Sequence, residues 1–420
     1  MIEGQNRKGV FLMSIQSRVI LLLLPVCLLL TGCYHDPEPP QNAPVQMQEQ
    51  TLEQLHLSPP EPDSPVIAAW IPYFTVDALL TASDPKAAVT AYLTGLRNLG
   101  VNTVFVHVCA FGESGYPSAY YPLLPTAAKQ NVMELFQPVC RELGMSFHAW
   151  LNPLRLQTEA YMDAQSGDSA LRAWYQDPEA RAAHLSKWDG RYYLNPAADS
   201  TCEFLTGAIT ELISQYHPDG VHIDDYFYPT AETAFDAQDF AVSGASDLSE
   251  WRRGNITELM HQMNSAVHSA DPDAVFSVSP QGNLRENREA LYADVPAWLT
   301  ENPCCDWIIP QIYFGYEHES APFAEILRMW QTLPRSETVR LIVGLAAYKS
   351  GQPDPYAGAG ASEWCAVPDL LVRQASDVLR DHHSDGAAFY HADALLSLPP
   401  ETAAALKSAL QPEQQTAAEN

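Results

Sequence analysis

Two adjacent aspartates, Asp224 and Asp225, follow a short apolar run at residues 220–223 and precede several aromatic residues. Because side chains alternate along a strand, Asp224 is expected on the same face as His222 and Tyr226. Two neighbouring carboxylates at the end of a buried strand are costly to ionise together, which raises the pKa of one of them. This arrangement suits general acid/base catalysis. The alternative interpretation is that Asp225 caps the following turn while Asp224 pairs with an arginine.

Other polar and aromatic side chains occupy similar positions, close to the ends of predicted strands. Glu113 and Glu317 are two further carboxylates that could take part in catalysis. The side chains suited to holding a substrate are those of His148, Trp150, Asn152, Arg155, His222, Tyr226, Arg285, Gln311 and Tyr313. Aromatic rings offer flat apolar faces for sugar rings, whereas amides and guanidinium groups bind hydroxyl and acyl groups. Each residue alone is more often a packing or internally bonded group, but together they predict a carbohydrate-binding groove.

The same pattern does not indicate a metal or an organic cofactor. The chain has no HExxH motif, and its eight cysteines show no C-x-x-C spacing, so a zinc or redox centre is not expected. Tyr73 and Phe74 follow the first predicted strand, where a nucleotide-binding fold would have a glycine-rich turn. We therefore predict a reaction that needs neither metal nor cofactor.

Eight short runs rich in β-branched and aromatic residues alternate with longer helical patterns. The runs lie at residues 66–72, 102–109, 145–152, 219–226, 274–281, 306–313, 340–347 and 385–391. The helix candidates lie at residues 85–99, 132–143, 201–216, 248–269, 322–333 and 368–381. Strand–helix alternation predicts parallel βαβ units, and eight of them predict an α/β fold of the (β/α)8 TIM-barrel class. An open doubly wound sheet is the alternative.

A barrel would bring the candidate residues together, because the carboxyl ends of its strands meet at one face. The segment 153–218 between the third and fourth strands holds far more than one helix, and we expect elaborated loops after strands three and four on this face. Two helix starts carry their own signals. Asp84 is a predicted N-cap, and the stretch from Ser200 to Glu203 is a predicted capping box.

The N-terminal segment has the composition of a signal peptide. Basic residues precede an apolar run at residues 19–30, which is short for a permanent membrane span. The tetrapeptide Leu30-Thr31-Gly32-Cys33 resembles the lipobox of bacterial lipoproteins. We therefore predict that residues 1–32 are removed and that Cys33 receives a lipid. An ordinary secretory signal that happens to contain a cysteine is the alternative.

The rest of the chain divides by composition. Residues 33–65 are rich in proline and are predicted to form an extended tether, residues 66–411 a single barrel domain, and residues 412–420 a polar tail. The lipid would hold the domain outside the cytoplasm, at the cell membrane or envelope. The net charge is −28, from 23 basic and 51 acidic residues. This charge repels nucleic-acid phosphates and anionic lipids, so we expect no nucleic-acid partner and membrane contact only through the lipid.

Residues 67–391 resemble the glycosyl hydrolase-like 10 family of secreted bacterial lipoproteins. The matching stretches are Ala149-Trp150-Leu151-Asn152-Pro153, Tyr193-Leu194-Asn195-Pro196, residues 219–229 and Ile309-Pro310-Gln311-Ile312-Tyr313. The resemblance implies a (β/α)8 barrel with the strand-four aspartates at the active centre. It also implies a hexosamine-containing substrate such as peptidoglycan glycan strands, on which one divisome-localised member acts. The sequence departs from the family pattern at Cys109, Gln281, Leu284 and Phe314, which concerns the groove walls more than the aspartates.

The expected function is hydrolysis of glycosidic bonds by carboxylate acid/base catalysis. Asp224 or Asp225 would protonate the glycosidic oxygen, and the other, or Glu113 or Glu317, would stabilise the transition state or activate water. In an N-acetylated sugar, the acetamido oxygen could itself be the nucleophile. Two alternatives remain. One is a glycan-binding barrel lipoprotein without catalysis, and the other is a metal-dependent amidohydrolase or deacetylase, which would require bound zinc.

Overall fold

The computed structural model describes residues 64–224, 227–300, 302–380 and 383–411. The predicted signal peptide at 1–32, the predicted lipidation site Cys33, nearly all of the 33–65 tether and the 412–420 tail lie outside the described residues. The same holds for Asp225 and Tyr226. Within the described ranges, none of the helices combines the length and the apolar composition that a bilayer span requires.

Eight parallel strands form a closed barrel, as the alternating pattern predicts. In chain order they are β1 Val66–Ile71, β2 Thr103–Ala110, β3 Ser146–Leu151, β4 Gly220–Ile223, β5 Val275–Val278, β6 Trp307–Ile308, β7 Arg340–Ala346 and β8 Gly386–Tyr390. Each strand pairs with the next one along the chain, and β8 pairs with β1 in a register that sets Gly386 beside Val66. The sheet therefore closes on itself, which confirms the (β/α)8 TIM-barrel prediction and excludes the open sheet.

Strands β5 and β6 end earlier than the apolar runs at 274–281 and 306–313 suggest. The reason is chemical, because Pro280 and Pro310 have no N–H group to donate to a neighbouring strand. Beyond these prolines, single bridges continue the contact, with Gln311 beside both Gln281 and Gly344. The residues after β5 and β6 are thereby kept at the carboxyl end of the barrel.

Helices surround the barrel and connect its strands. They are α1 Tyr73–Leu80, α2 Pro85–Leu99, α3 Val132–Glu142, α4 Glu159–Ala164, α5 Ala170–Gln176, α6 Pro178–His184, α7 Asp199–Tyr216, α8 Ala237–Ser243, α9 Leu248–Ala270, α10 Leu284–Glu289, α11 Val295–Trp298, α12 Phe323–Thr332, α13 Glu363–Ala366, α14 Leu370–Arg380, α15 Ala392–Leu396 and α16 Pro400–Ala409. Asp84 caps α2 by accepting from the Ala87 amide (3.0 Å), as predicted. The capping box at Ser200 is wrong, because α7 already begins at Asp199 and the Ser200 hydroxyl bonds the His184 ring instead.

Aromatic and imidazole side chains fill the barrel interior. Trp70, Phe105 and Trp307 belong to one buried cluster, and the Trp70 indole donates to Nε2 of His222 (2.9 Å). The His148 ring stacks on Trp307 with centroids 4.8 Å apart. Burial lowers the pKa of His148 to about 3 and that of His222 well below its usual range, so both rings are neutral. This buried interior lies directly beneath the strand ends at the carboxyl end of the barrel.

The loops after β3 and β4 are elaborated, as predicted. The first contains α4, α5, α6 and a three-stranded antiparallel sheet. In this sheet Arg191–Leu194 is the central strand, and it is flanked by Arg155–Thr158 and Leu185–Trp188. The second contains a short 3-10 turn, Thr233–Phe235, and α8. Phe235 contacts Trp188 and Tyr193, so the two loops pack against each other.

Candidate active site at the mouth of the barrel

Asp224 lies directly after β4, at the carboxyl end of the barrel. Its Oδ2 accepts hydrogen bonds from the Trp150 indole (3.1 Å) and from the Asn152 side-chain amide (2.5 Å). The side chain is 4% exposed, so these neutral donors take the place of water around the carboxylate. Donors of this kind stabilise the ionised form of a carboxyl group. The side chains of Trp150, Asn152 and Asp224, which strand alternation predicts to point into the barrel, therefore contact one another at the mouth.

Asn152 is itself held in a fixed orientation. Its Oδ1 accepts from the backbone amide of Phe111 (3.0 Å) and lies 3.0 Å from Nε2 of His107. Burial lowers the pKa of His107 to about 3, so the ring is neutral and donates through Nε2. The same ring stacks on Trp150 with centroids 3.8 Å apart. Trp150 therefore has one face covered and only 5% exposure, and its contact in this site is with Asp224 rather than with a sugar ring.

A tight turn after β2 places Phe111 at the mouth. Phe111 and Gly112 both have positive φ, 51° and 81°, and Ala110 pairs with Glu113 across the turn. This backbone is costly for phenylalanine, and strain of this kind clusters at functional sites. The Phe111 ring contacts Tyr73 and lies under the guanidinium groups of Arg155 (5.0 Å) and Arg191 (5.5 Å). The only feature of the sequence that indicates this tight turn is Gly112, and nothing in the sequence marks Phe111 itself.

Glu113 follows this turn and is enclosed by the loop after β3. Its carboxylate accepts from the Tyr161 hydroxyl (2.9 Å) and from the Gln165 amide (3.0 Å). Burial raises the pKa of Glu113, and the hydrogen bonds from Gln165, Tyr161 and Gln157 reduce that rise. Glu113 is thus a buried carboxyl group near the mouth. Tyr161 of α4 and Gln165, which follows this helix, cover it.

Three tyrosines form an aromatic cluster on the opposite side of the mouth. Tyr313 follows β6, Tyr348 follows β7, and Tyr390 is the last residue of β8. The ring centroid of Tyr313 lies 6.0 Å from those of both Tyr348 and Tyr390. The Tyr390 ring packs on Trp70, with centroids 6.2 Å apart. Tyr348 is exposed, while Tyr313 and Tyr390 are half-buried. The Lys349 ammonium group donates to the Tyr313 carbonyl oxygen (2.8 Å) and fixes the loop after β7 against the loop after β6. The cluster offers flat apolar faces to a ligand.

The remaining predicted residues lie around this face at different depths. Gln311 is half-buried and donates to the Ser279 carbonyl oxygen (3.1 Å), so it joins β5 to the residues after β6. Glu317 is exposed, and its backbone amide donates to the buried Glu363 carboxylate (2.9 Å). Arg285 is 73% exposed on α10, and its guanidinium group lies 3.9 Å from Glu289. Asp225 and Tyr226, the other predicted members, lie outside the described residues.

His148 and His222, which the sequence predicts as substrate-binding residues, lie inside the barrel core. They precede Trp150 and Asp224 by two residues on the same strand faces, so both lie deeper in the barrel. Both are almost completely enclosed, and His222 bonds Trp70 and the Ser277 hydroxyl (2.9 Å). A sugar cannot reach these rings, so we assign them to the core and not to substrate binding. Strand alternation predicts that a side chain points into the barrel. It does not predict whether that side chain lies deep in the packed interior or at the open end.

No three His, Cys, Asp or Glu side chains of the described ranges come together as a metal ion would require. The six cysteines of these ranges are free thiols. The mouth is therefore a collection of carboxylates, amides, guanidinium groups and aromatic rings. Such a site can bind a polyhydroxylated ligand and can move protons.

Comparison with known proteins places the chain in a family. The glycosyl hydrolase-like 10 family matches residues 67–358. The chain is 27% identical over 299 residues to glycosyl hydrolase YngK of Bacillus subtilis (strain 168), covering 64% of this chain and 57% of that protein. It is 27% identical over 317 residues to glycosyl hydrolase DigH of Escherichia coli (strain K12), covering 68% of this chain and 71% of that protein. The chain thus spans little more than half of YngK.

Solved structures share the fold. An α-amylase from Geobacillus thermoleovorans, complexed with acarbose, superposes with a TM-score of 0.50 at 10% identity, over 82% of this chain and 77% of that one. A likeness at this identity establishes the common barrel and nothing about the reaction. The family match covers well over half of the 420 residues and includes Asp224 with both of its donors. The chain therefore belongs to the glycosyl hydrolase-like 10 family.

Proposed function

We propose that this protein is a glycoside hydrolase that cleaves glycosidic bonds in a hexosamine-containing polysaccharide, with peptidoglycan glycan strands as the first candidate. The observation that carries the proposal is the carboxylate of Asp224, held by Trp150 and Asn152 at the carboxyl end of the barrel. Catalytic residues of (β/α)8 enzymes come from these strand ends. Membership of a glycosyl hydrolase-like family supports the same reaction class.

Asp224 is proposed as the ionised member of the catalytic pair. Its two N–H donors favour the charged form against the cost of burial. The carboxylate can then stabilise an oxocarbenium-like transition state, attack the anomeric carbon, or orient the acetamido group of an N-acetylated sugar. The acid is then a second carboxyl group, and Asp225, the next residue along the chain, is the first candidate. Glu113 is the second candidate, because burial raises its pKa and a general acid must carry a proton at working pH.

The glycan is proposed to lie across the mouth against the aromatic cluster of Tyr313, Tyr348 and Tyr390. Flat apolar faces beside hydroxyl-binding groups suit a chain of sugar rings. The protein would act at the cell envelope, anchored by a lipid on Cys33 and held away from the membrane by the 33–65 segment. This anchor is a prediction from the sequence.

Mass spectrometry of reaction products tests the proposal. The purified protein is incubated with peptide-free cell-wall glycans and, separately, with chitin-type oligosaccharides, and new reducing ends are identified. We expect cleavage of the cell-wall glycans, and loss of cleavage in Asp224→Asn and Asp225→Asn. Tight binding of either glycan without any cleavage would contradict hydrolysis and would favour the glycan-binding barrel. Release of acetate or of amide-linked groups would instead favour an amidohydrolase or deacetylase.

A further inference from the structure

A histidine–aspartate pair, His391 and Asp393, directly follows β8. The Nδ1 atom of His391 lies 3.5 Å from Oδ2 of Asp393, which belongs to the first turn of α15. The imidazole ring packs edge-on against Phe74 (5.6 Å) and Tyr390 (5.4 Å). His391 therefore lies where the loops after β8 and β1 meet, next to the aromatic cluster.

Asp393 is held by groups from the helices that follow β1. The Thr75 hydroxyl donates to Oδ2, and the Tyr92 hydroxyl donates to Oδ1 (2.7 Å). Burial opposes ionisation of this carboxyl group, but the interactions with His391, Thr75 and Tyr92 lower the pKa of Asp393 overall. The carboxylate is therefore charged and oriented, with one oxygen directed at the imidazole.

A charged carboxylate 3.5 Å from Nδ1 favours one tautomer of the histidine, although Nδ1 makes no hydrogen bond at this distance. In that tautomer the proton is on Nδ1 and the lone pair is on Nε2. Nδ1 is buried, whereas the side chain as a whole is 14% exposed, so the exposed part of the ring lies away from Asp393. Across residues 64–224, 227–300, 302–380 and 383–411, no group hydrogen-bonds to Nε2. His391 thus presents an oriented acceptor that the protein itself does not use.

The surroundings of His391 point to a sugar as the ligand. Its neighbour Tyr390 also contacts Tyr313 and Tyr348, the other two members of the aromatic cluster. A lone-pair acceptor beside flat aromatic faces matches a sugar ring, whose faces are apolar and whose edges carry hydroxyl donors. Residue 391 lies beyond residues 67–358, so the family match does not account for this pair.

We propose that His391 is a glycan-binding residue whose Nε2 accepts a hydrogen bond from a sugar hydroxyl, and that Asp393 positions its ring for that contact. The proposal rests on the proposed function only in taking a glycan as the ligand. It adds a hydrogen-bonding group directly after β8 to the aromatic face that Tyr390 provides. It also gives Asp393 a role in ligand binding, as the group that positions the His391 ring.

Isothermal titration calorimetry with chitin-type oligosaccharides and peptide-free cell-wall glycans tests this contact. Binding is measured in the Asp224→Asn protein, so that turnover does not interfere. His391→Phe keeps the ring contacts with Phe74 but removes the acceptor, and we expect binding to weaken about tenfold. His391→Gln places an amide oxygen near the Nε2 position and should bind within about threefold of the parent. His268→Gln is the matched control, because His268 also pairs with an aspartate, Asp306 (3.2 Å), on the opposite side of the barrel from the mouth.

A double-mutant cycle separates positioning from a general loss of structure. Asp393→Asn alone should weaken binding severalfold, but it should have no further effect in the His391→Phe background, because its role acts through the ring. If His391→Phe does not fold, His391→Leu replaces it in the same cycle. Binding within twofold of the parent in the acceptor-free variant, or independent effects of the two substitutions, would overturn the proposal. Wild-type protein that binds glycan without cleaving it contradicts the proposed hydrolysis but leaves this test intact. If neither wild type nor the Asp224→Asn parent binds either glycan, both proposals are overturned.

Discussion

At the scale of single residues, the acidic side chains around the mouth differ in what surrounds them. Asp224 accepts from two neutral N–H donors of β3 and its extension. Glu113 is enclosed by α4 and has a raised pKa, while Glu317 is open to solvent. A carboxylate with fixed donors at a strand end is prepared for charge stabilisation without reorganisation. This difference is why we propose Asp224 as the charged carboxylate of the reaction.

The buried histidines of the lumen predict a pH dependence of folding stability. Burial lowers the pKa of His107 and of His148 to about 3, and an unfolded histidine has a pKa near 6.5. Their contribution is therefore fully present above about pH 6.5 and is lost as the pH falls toward about 3, because the unfolded chain takes up the protons. Each buried histidine removes at most about 1.4 kcal/mol of the free energy of unfolding per pH unit in this window.

His148→Gln isolates this effect. We expect the difference in free energy of unfolding between wild type and variant, measured by urea titration, to shrink steadily from pH 7 to pH 4. His217→Gln is the control, because His217 lies on the helix layer at the end of α7 and has no comparable burial. A difference that stays constant across the pH range would show that His148 is not kept neutral by the lumen.

The sequence predicts the residues of the site better than their roles. Alternation along β3 and β4 correctly places Trp150, Asn152 and Asp224 on one face, because the period of a strand is two. It does not reveal that Trp150 is covered by His107 and donates to Asp224, since this depends on packing across strands. Phe111 also escapes prediction, because its position follows from an unusual backbone conformation.

At the scale of elements, one buried arginine holds the loop after β4. Arg252 of α9 pairs with Asp236 (2.6 Å), and both side chains are fully enclosed. Its guanidinium group also donates to the carbonyl oxygens of Thr230 (3.3 Å) and Glu232 (2.8 Å), and to the Tyr292 hydroxyl (3.0 Å). The loop that begins at Asp224 is thereby attached to the helix layer, and also to the loop after β5.

Arg252→Met should destabilise the protein by about 3–5 kcal/mol, because it leaves Asp236 as a buried charge without a partner. Arg252→Met with Asp236→Leu should recover only part of this loss, since the two loop carbonyls remain without their donor. Arg380→Met, on α14, removes an ion pair between the largely exposed Arg380 side chain and Asp377 (3.0 Å) and should cost less than about 1 kcal/mol. Calorimetric unfolding measures all three. Equal effects at positions 252 and 380 would contradict the anchoring role.

The bounds of helices and strands are predicted well where capping residues and hydrophobic pattern indicate the same ends. Helix α2 spans Pro85–Leu99, as predicted, because Asp84 caps its start and Gly100, at φ 104°, ends it in the left-handed region. All eight predicted strands occur, although prolines shorten β5 and β6. The sheet inside the loop after β3 is not predicted, because its strands have four residues each and each one includes a charged side chain.

At the scale of the whole molecule, the net charge of −28 sets which glycans approach easily. An anionic surface repels ligands that carry carboxylates, and salt screens this repulsion over a Debye length of about 10 Å at 0.1 M. We expect cell-wall glycans with free carboxylates to bind severalfold more tightly at about 0.5 M than at about 0.05 M salt. Chitin-type oligosaccharides, which are neutral, should change by less than about twofold. Titrations that show the same salt dependence for both ligands would contradict this expectation.

The single-turnover rates of glycan cleavage by wild type and by Asp224→Asn test the proposed role of Asp224 most directly. Asparagine has nearly the same size, so it can keep the contact with Trp150 while it removes the charge. We expect cleavage to slow by about 10²–10⁴-fold, the range typical for loss of a proton-transferring or charge-stabilising group. Glycan binding and the melting temperature should remain close to those of wild type. A rate within about twofold of wild type would show that the reaction does not depend on Asp224, and would contradict the assignment of the active site.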